Sequence, residues 1–133
     1  IVDIDNNGYN EIIMKDSYGM MGFFKEWISI YEKKFDIKNN KLTVPVFFNS
    51  DFAGIGGREY INVDSEYFIS NSSLIVESRL DYYICMGKME NYEADNRYIK
   101  SESRKDMFEY DNGLFKHIKD ANNVNWDDPR LEF

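Results

Sequence analysis

The stretch that most limits how this chain can fold is Asp3-Ile4-Asp5-Asn6-Asn7-Gly8-Tyr9-Asn10-Glu11, which runs directly into Ile12-Ile13-Met14. A hard cation such as Ca²⁺ takes about six to eight oxygen ligands at ~2.3–2.6 Å, and alternate residues of a tightly curled loop can aim their oxygens at one centre. Asp3, Asp5 and Asn7 have that spacing. Gly8 stands where the loop must turn sharply, in a positive-φ conformation that glycine adopts cheaply. The backbone carbonyl of Tyr9 and the carboxylate of Glu11 complete the expected ligand set, and calcium is the expected ion.

A helix-loop-helix calcium site would need a bidentate acid at its twelfth position and a helix after it. Counted from Asp3, that position is Met14. Ile12-Ile13-Met14 is an apolar run with two β-branched residues, which favours a buried strand over the start of a helix. In feeding a strand, the loop resembles the FG-GAP/VCBS-type repeats of integrin-like β-propellers, whose pattern is Asp-x-Asp/Asn-x-Asp/Asn-Gly-x-x-Asp/Glu followed by an apolar strand. The resemblance implies a mainly β chain of antiparallel meanders resembling propeller blades. It also implies calcium that rigidifies the blade junction, adhesion or ligand binding at the cell exterior, and no chemistry.

A second stretch supports a repeat. Asp51, Phe52, Gly56, Glu59, Tyr60 and Ile61 fall without a gap under Asp3, Ile4, Gly8, Glu11, Ile12 and Ile13, 48 residues downstream, within the ~40–50 residues of known propeller repeats. Ala53 and Ile55 replace Asp5 and Asn7, so this copy is expected to keep the turn and hold no metal. Gly54, Gly56 and Gly57 lack the Lys-Ser/Thr of a phosphate loop. The expected organisation is one β domain over 1–133, with repeat-like units at about 1–48 and 49–118 and a C-terminal tail at 119–133. A full propeller needs at least four blades. The chain therefore reads either as part of a larger propeller, with the remaining blades as its partners, or as a smaller sheet domain that has kept the loop.

Charge narrows the partners. Sixteen Lys and Arg against 24 Asp and Glu give a net charge of −8, which argues against nucleic acid and anionic membrane, since both call for a basic face. No apolar run approaches the ~18–20 residues of a membrane span. Ten Tyr and ten Phe suit pleated faces and a folded domain. Cys85 is the single cysteine; it allows no internal disulfide and reads as a small buried hydrophobe. Opening on Ile1-Val2-Asp3, the sequence is expected to be a processed piece of something longer, whose export signal could have been lost.

Along the chain, strands are expected at Glu11–Asp16, Phe23–Phe35 and Leu42–Phe48. Ser17 to Gly22 reads as a turn. Phe24, Trp27, Ile28 and Tyr31 also fall at helical spacing, although the Ile28-Ser29-Ile30 alternation favours a strand. Pro45 lacks an N–H and is expected at an edge or a bulge. Further apolar segments lie at Tyr60–Val63, Tyr67–Ile69, Leu74–Met86, Tyr98–Glu102, Met107–Tyr110 and Leu114–Ile118. Turns are expected at Asn71-Ser72-Ser73 and at the Asn-Gly pair of Asp111-Asn112-Gly113. The tail after Lys119 is expected to wrap or extend, anchored by Trp126.

Catalytic signals are weak. His117 is the single histidine and reads as a surface or edge residue; a triad has no support, and one Cys with one His makes no zinc site. Asp127-Asp128 and Glu90/Glu93 are acid pairs, but sequence does not place carboxylates at the ~5–10 Å that glycoside hydrolysis requires. The leading reading is a calcium-stabilised, non-enzymatic recognition or scaffold module of an exported or surface protein, with a protein or glycan ligand. Two others stand beside it: a domain of a polysaccharide-acting enzyme with Tyr92 and Trp126 in a groove, and an acidic inhibitor or immunity-type protein that masks a basic partner.

Overall fold

The computed structural model describes residues 3, 4, 8, 10–20, 23–32, 40–50, 59–85, 96–112 and 114–131. Seven antiparallel strands form one sheet in strict chain order: β1 (Glu11–Met20), β2 (Phe23–Glu32), β3 (Asn40–Ser50), β4 (Glu59–Ser70), β5 (Ser73–Cys85), β6 (Asn96–Asp111) and β7 (Leu114–Ile118). The chain is thus mainly β, an antiparallel meander. Helical structure among the described residues is a single 3-10 turn at Pro129–Leu131. No helix among them is long and apolar enough to cross a membrane.

Several local expectations need correction. Ser17 to Met20 continue β1, paired with Phe23 to Glu26; the pairing of four more residues outweighs the turn preference of Gly19 and Ser17. Phe23 to Glu32 is a strand as expected, each of its residues paired with β1, and positions 33–35 lie outside the described residues. The segments at Tyr60–Val63 and Tyr67–Ile69 are one strand, β4, carried through Asp64-Ser65-Glu66 by pairing with Arg79, Ser78 and Glu77. Tyr98–Glu102 and Met107–Tyr110 likewise merge into the sixteen-residue β6. Its polar middle survives because one face of the sheet meets solvent, where alternating charged residues cost nothing. Met86, Tyr92, Glu90, Glu93 and the loop at Asp51 to Arg58 lie outside the described residues, as does the side chain of Cys85.

Two turns follow their chemistry. Asn71 and Ser72 have φ of 48° and 62° between the paired Ser70 and Ser73. Positive φ at both central residues of a two-residue hairpin is the type I′ geometry, whose twist matches that of the strands. Asn112 has φ 49° beside the Asp111–Leu114 pair. Pro45 sits at a bulge: Trp27 pairs with Pro45 while Glu26 pairs with Phe47, leaving Val46 extra.

The sheet is unevenly stitched. β4 and β5 share twelve register pairs, whereas β3 and β4 share two, Phe47–Asp64 and Phe48–Val63. Pro45 therefore needs no N–H on its β4 side. The sheet bends at this joint and curls on itself, since all seven strands contribute to one core. Ile28, Ile30, Val44 and Val46 from β2 and β3 meet Leu74, Val76 and Phe108, with Ile13, Leu42, Ile69 and Phe115 packed against them. Burying such side chains stabilises by about 1.5–3 kcal/mol each.

A second core lies at the joint. Phe48, Ile61, Val63, Leu80 and Tyr82 are roofed by Val124 and Leu131 of the tail, with Trp126 packed alongside. The tail is therefore a strap. It is held by backbone and side-chain hydrogen bonds to β6: Lys105 N–H donates to Asn122 O at 2.9 Å, Asn123 Nδ2 to Lys105 O at 3.0 Å, and Arg104 Nη1 to Ala121 O at 2.9 Å.

Candidate functional site

The N-terminal loop enters β1 under three constraints. Gly8 has φ +88°, in the region only glycine visits cheaply, and its N–H donates to Asp3 Oδ2 at 2.9 Å. This bond folds the loop back on its first acid. Glu11 is 4% exposed, and its Oε2 accepts the Ile4 N–H at 2.6 Å. Ile4 itself is 1% exposed and belongs to the main core. One residue thus plugs the core while its neighbour Asp3 closes the turn.

Of the predicted ligands, Asp3 and Glu11 are brought to the same loop by these bonds. Asp5, Asn7 and Tyr9 lie outside the described residues. Among the described residues, no group of three or more His, Cys, Asp and Glu is arranged to hold a metal. The donor set nevertheless suits a hard cation. An ionised carboxylate has about four acceptor positions, so accepting one backbone N–H does not conflict with metal ligation.

A second polar centre went unseen in the sequence. Glu102 on β6 accepts from Lys100 Nζ, Tyr82 Oη and Arg104 Nη2 at 2.9, 2.8 and 2.9 Å. These hydrogen bonds, that from Lys100 foremost, bring its carboxyl down to about 2. Tyr82 lies between two cations, Lys100 Nζ at 4.7 Å and the Arg130 guanidinium at 5.1 Å from its ring centroid. Burial, followed by the bond to Glu102, raises the Tyr82 hydroxyl. Arg130 also grips Asp128 at 2.7 Å, which lowers that carboxyl and ties up half of the Asp127-Asp128 pair. The arrangement fastens the strap to the sheet.

His117 lies on the edge strand β7, as expected, but it has a partner. Its Nε2 is 2.8 Å from Asp106 Oδ1, and its ring stacks on Phe108 at 4.5 Å. Asp106, 4% exposed, also accepts the Val124 N–H at 3.3 Å. The Asp106–His117 spacing of eleven residues has no meaning in a linear reading; it arises from the hairpin register, in which Phe108 faces His117. The pair orients the strap, and no Ser, Thr or Cys hydroxyl or thiol completes a nucleophilic relay with it among the bonds just described. In comparison with known proteins, the chain matches no family model, no curated protein and no solved structure.

Proposed function

We propose that this chain is a calcium-stabilised, non-enzymatic recognition or scaffold module of an exported or surface protein. The observation that carries the reading is the closed loop at the start of β1, in which Gly8 turns at positive φ onto Asp3 while the buried Glu11 caps Ile4. In this reading Asp3, Asp5, Asn7, the Tyr9 carbonyl and Glu11 hold calcium, whose charge stabilises carboxylates gathered on an acidic chain. Because Ile4 is at once part of the loop and part of the main core, ordering the loop seats the core. Extracellular calcium modules work at Kd values of about 10⁻⁴–10⁻³ M, which agrees with a short loop whose ligands come from one segment.

The test is the thermal midpoint in EDTA and in millimolar CaCl₂, with Asp5→Ala alongside. With Kd at ~10⁻⁴–10⁻³ M, an ion bound only by the folded form adds about 0.4–1.4 kcal/mol at 1 mM CaCl₂. For a chain of this length that corresponds to a rise of about 1.5–5 °C, lost in Asp5→Ala. An unchanged midpoint in the parent protein refutes calcium at this loop.

A further inference from the structure

Between β2, β3 and the strap lies a cleft of about 310 Å³, near the lower end of the ~300–1,000 Å³ range of small-molecule sites. Its walls are Trp27, Phe47 and Trp126, with Pro45 beside them. Phe24, 38% exposed, extends the aromatic surface by an edge contact with Phe47 at 5.9 Å. Polar groups enter at three points: Lys25, Glu26 and Thr43. The bulge at Pro45 and the anchoring of the strap through Val124 and Leu131 hold the two walls in place. Leu131, which helps anchor the strap, also lines the cleft.

We propose that this cleft binds a neutral sugar ring of hexose size. The proposal rests on the recognition-module reading and gives that module its ligand class. Charge favours a neutral occupant. Glu26 is already paired with Lys15 at 2.6 Å, and the Lys25 ammonium stands 5.3 Å from the Phe48 ring centroid. An anion would lie beside the Glu26 carboxylate and a cation beside the Lys25 ammonium, so an ion of either sign meets a like charge in the lining. A neutral polyol meets neither penalty. Its hydroxyls both donate and accept, and the lining supplies an acceptor in Glu26 and a donor in Lys25. Its ring also carries an apolar C–H face, which fits the negative face of an indole.

Both tryptophans of the chain line the cleft, so under folding conditions selectively excited tryptophan emission reports on this site. The emission of the whole chain is titrated, in calcium, with methyl β-D-glucopyranoside, methyl α-D-mannopyranoside, N-acetylglucosamine and cellobiose. Tetramethylammonium chloride and tetraproline serve as the competing cationic and peptide probes. The expected result is a saturable change with at least one sugar at millimolar Kd. Trp126→Phe should keep that affinity within about threefold, while Trp126→Ala, read through Trp27, should weaken it about tenfold. Glu26→Gln serves as a second variant should the alanine form unfold; it leaves the walls intact and should weaken binding by a similar factor. No saturation by any sugar up to about 100 mM, a hundred times a millimolar Kd, overturns the proposal, as does saturation by tetramethylammonium or tetraproline alone. A calcium-dependent midpoint with no sugar response would sink the sugar site and leave the calcium loop standing; sugar saturation with no calcium response would do the reverse.

Discussion

Phe48→Ala tests the claim that the molecule is two sheet halves held at one joint. Phe48 is 1% exposed and packs among Ile61, Val63, Leu80, Tyr82, Val124 and Leu131. It also forms one of the two register pairs between β3 and β4. Truncating a fully buried Phe costs about 3–5 kcal/mol, and losing the Lys25 contact at 5.3 Å adds about 0.5 kcal/mol at a partly exposed site. A total near 4 kcal/mol is a large part of the ~5–15 kcal/mol of an ordinary domain. With unfolding entropy of about 2.1 cal/mol/K per residue, it lowers the thermal midpoint by about 14 °C. The assay is urea unfolding followed by tryptophan emission and by far-ultraviolet circular dichroism. Phe47→Ala is the control, because Phe47 forms the other β3–β4 pair but is only half-buried. A loss under about 2 kcal/mol for Phe48→Ala, or one no larger than that of Phe47→Ala, refutes Phe48 as the keystone of the joint.

Replacing Ser72, at φ 62°, with Gly relieves a left-handed backbone and should stabilise by about 0.5–1 kcal/mol in chemical denaturation; a loss would refute the turn assignment. Asp106→Ala removes the acceptor shared by His117 and the Val124 N–H and should cost about 2–3 kcal/mol, with faster proteolysis after residue 118 as the sign that the strap has been released. The Glu102 carboxyl, at about 2 when folded against an ordinary 4.5, has a lowered folded value. Its contribution is thus complete above pH ~4.5 and disappears as pH falls through about 2. Because its side chain is 29% exposed, the effect is discounted for solvent to about 1 kcal/mol. Comparing the parent with Glu102→Gln across pH 2 to 7 should show the gap closing at the acid end, and a constant gap would refute it.

The fold class was legible because it rests on local chemistry. Alternating Ile28-Ser29-Ile30, the Asn71-Ser72 and Asn112 turns, and Pro45 at its bulge each act within a few residues. Strand lengths were less legible: Asp64-Ser65-Glu66 and Ser103 to Asp106 look like breaks until their cross-strand partners are known. The turn at Gly8 was readable from spacing. Glu102, Asp106 and the aromatic cleft were not, because each joins residues brought together by register or by the strap. Trp27 and Trp126 stand nearly a hundred positions apart in the chain, and no period links them.

Strict sequential strand order also has a kinetic meaning. Every strand finds its partner in the next segment of chain, so no long loop must close before the first pairs form, and local pairing speeds folding. The β4–β5 hairpin, with its two-residue turn and twelve pairs, is the natural place to start; isolated hairpins form in about 1–10 μs. The slow event is then the curl that brings Ile28 and Ile30 onto Leu74 and Val76. Until that curl is complete, β1 and the inner faces of the first three strands present unpaired edge and bare apolar surface to other chains, so the interval before closure is when this protein is most exposed to aggregation.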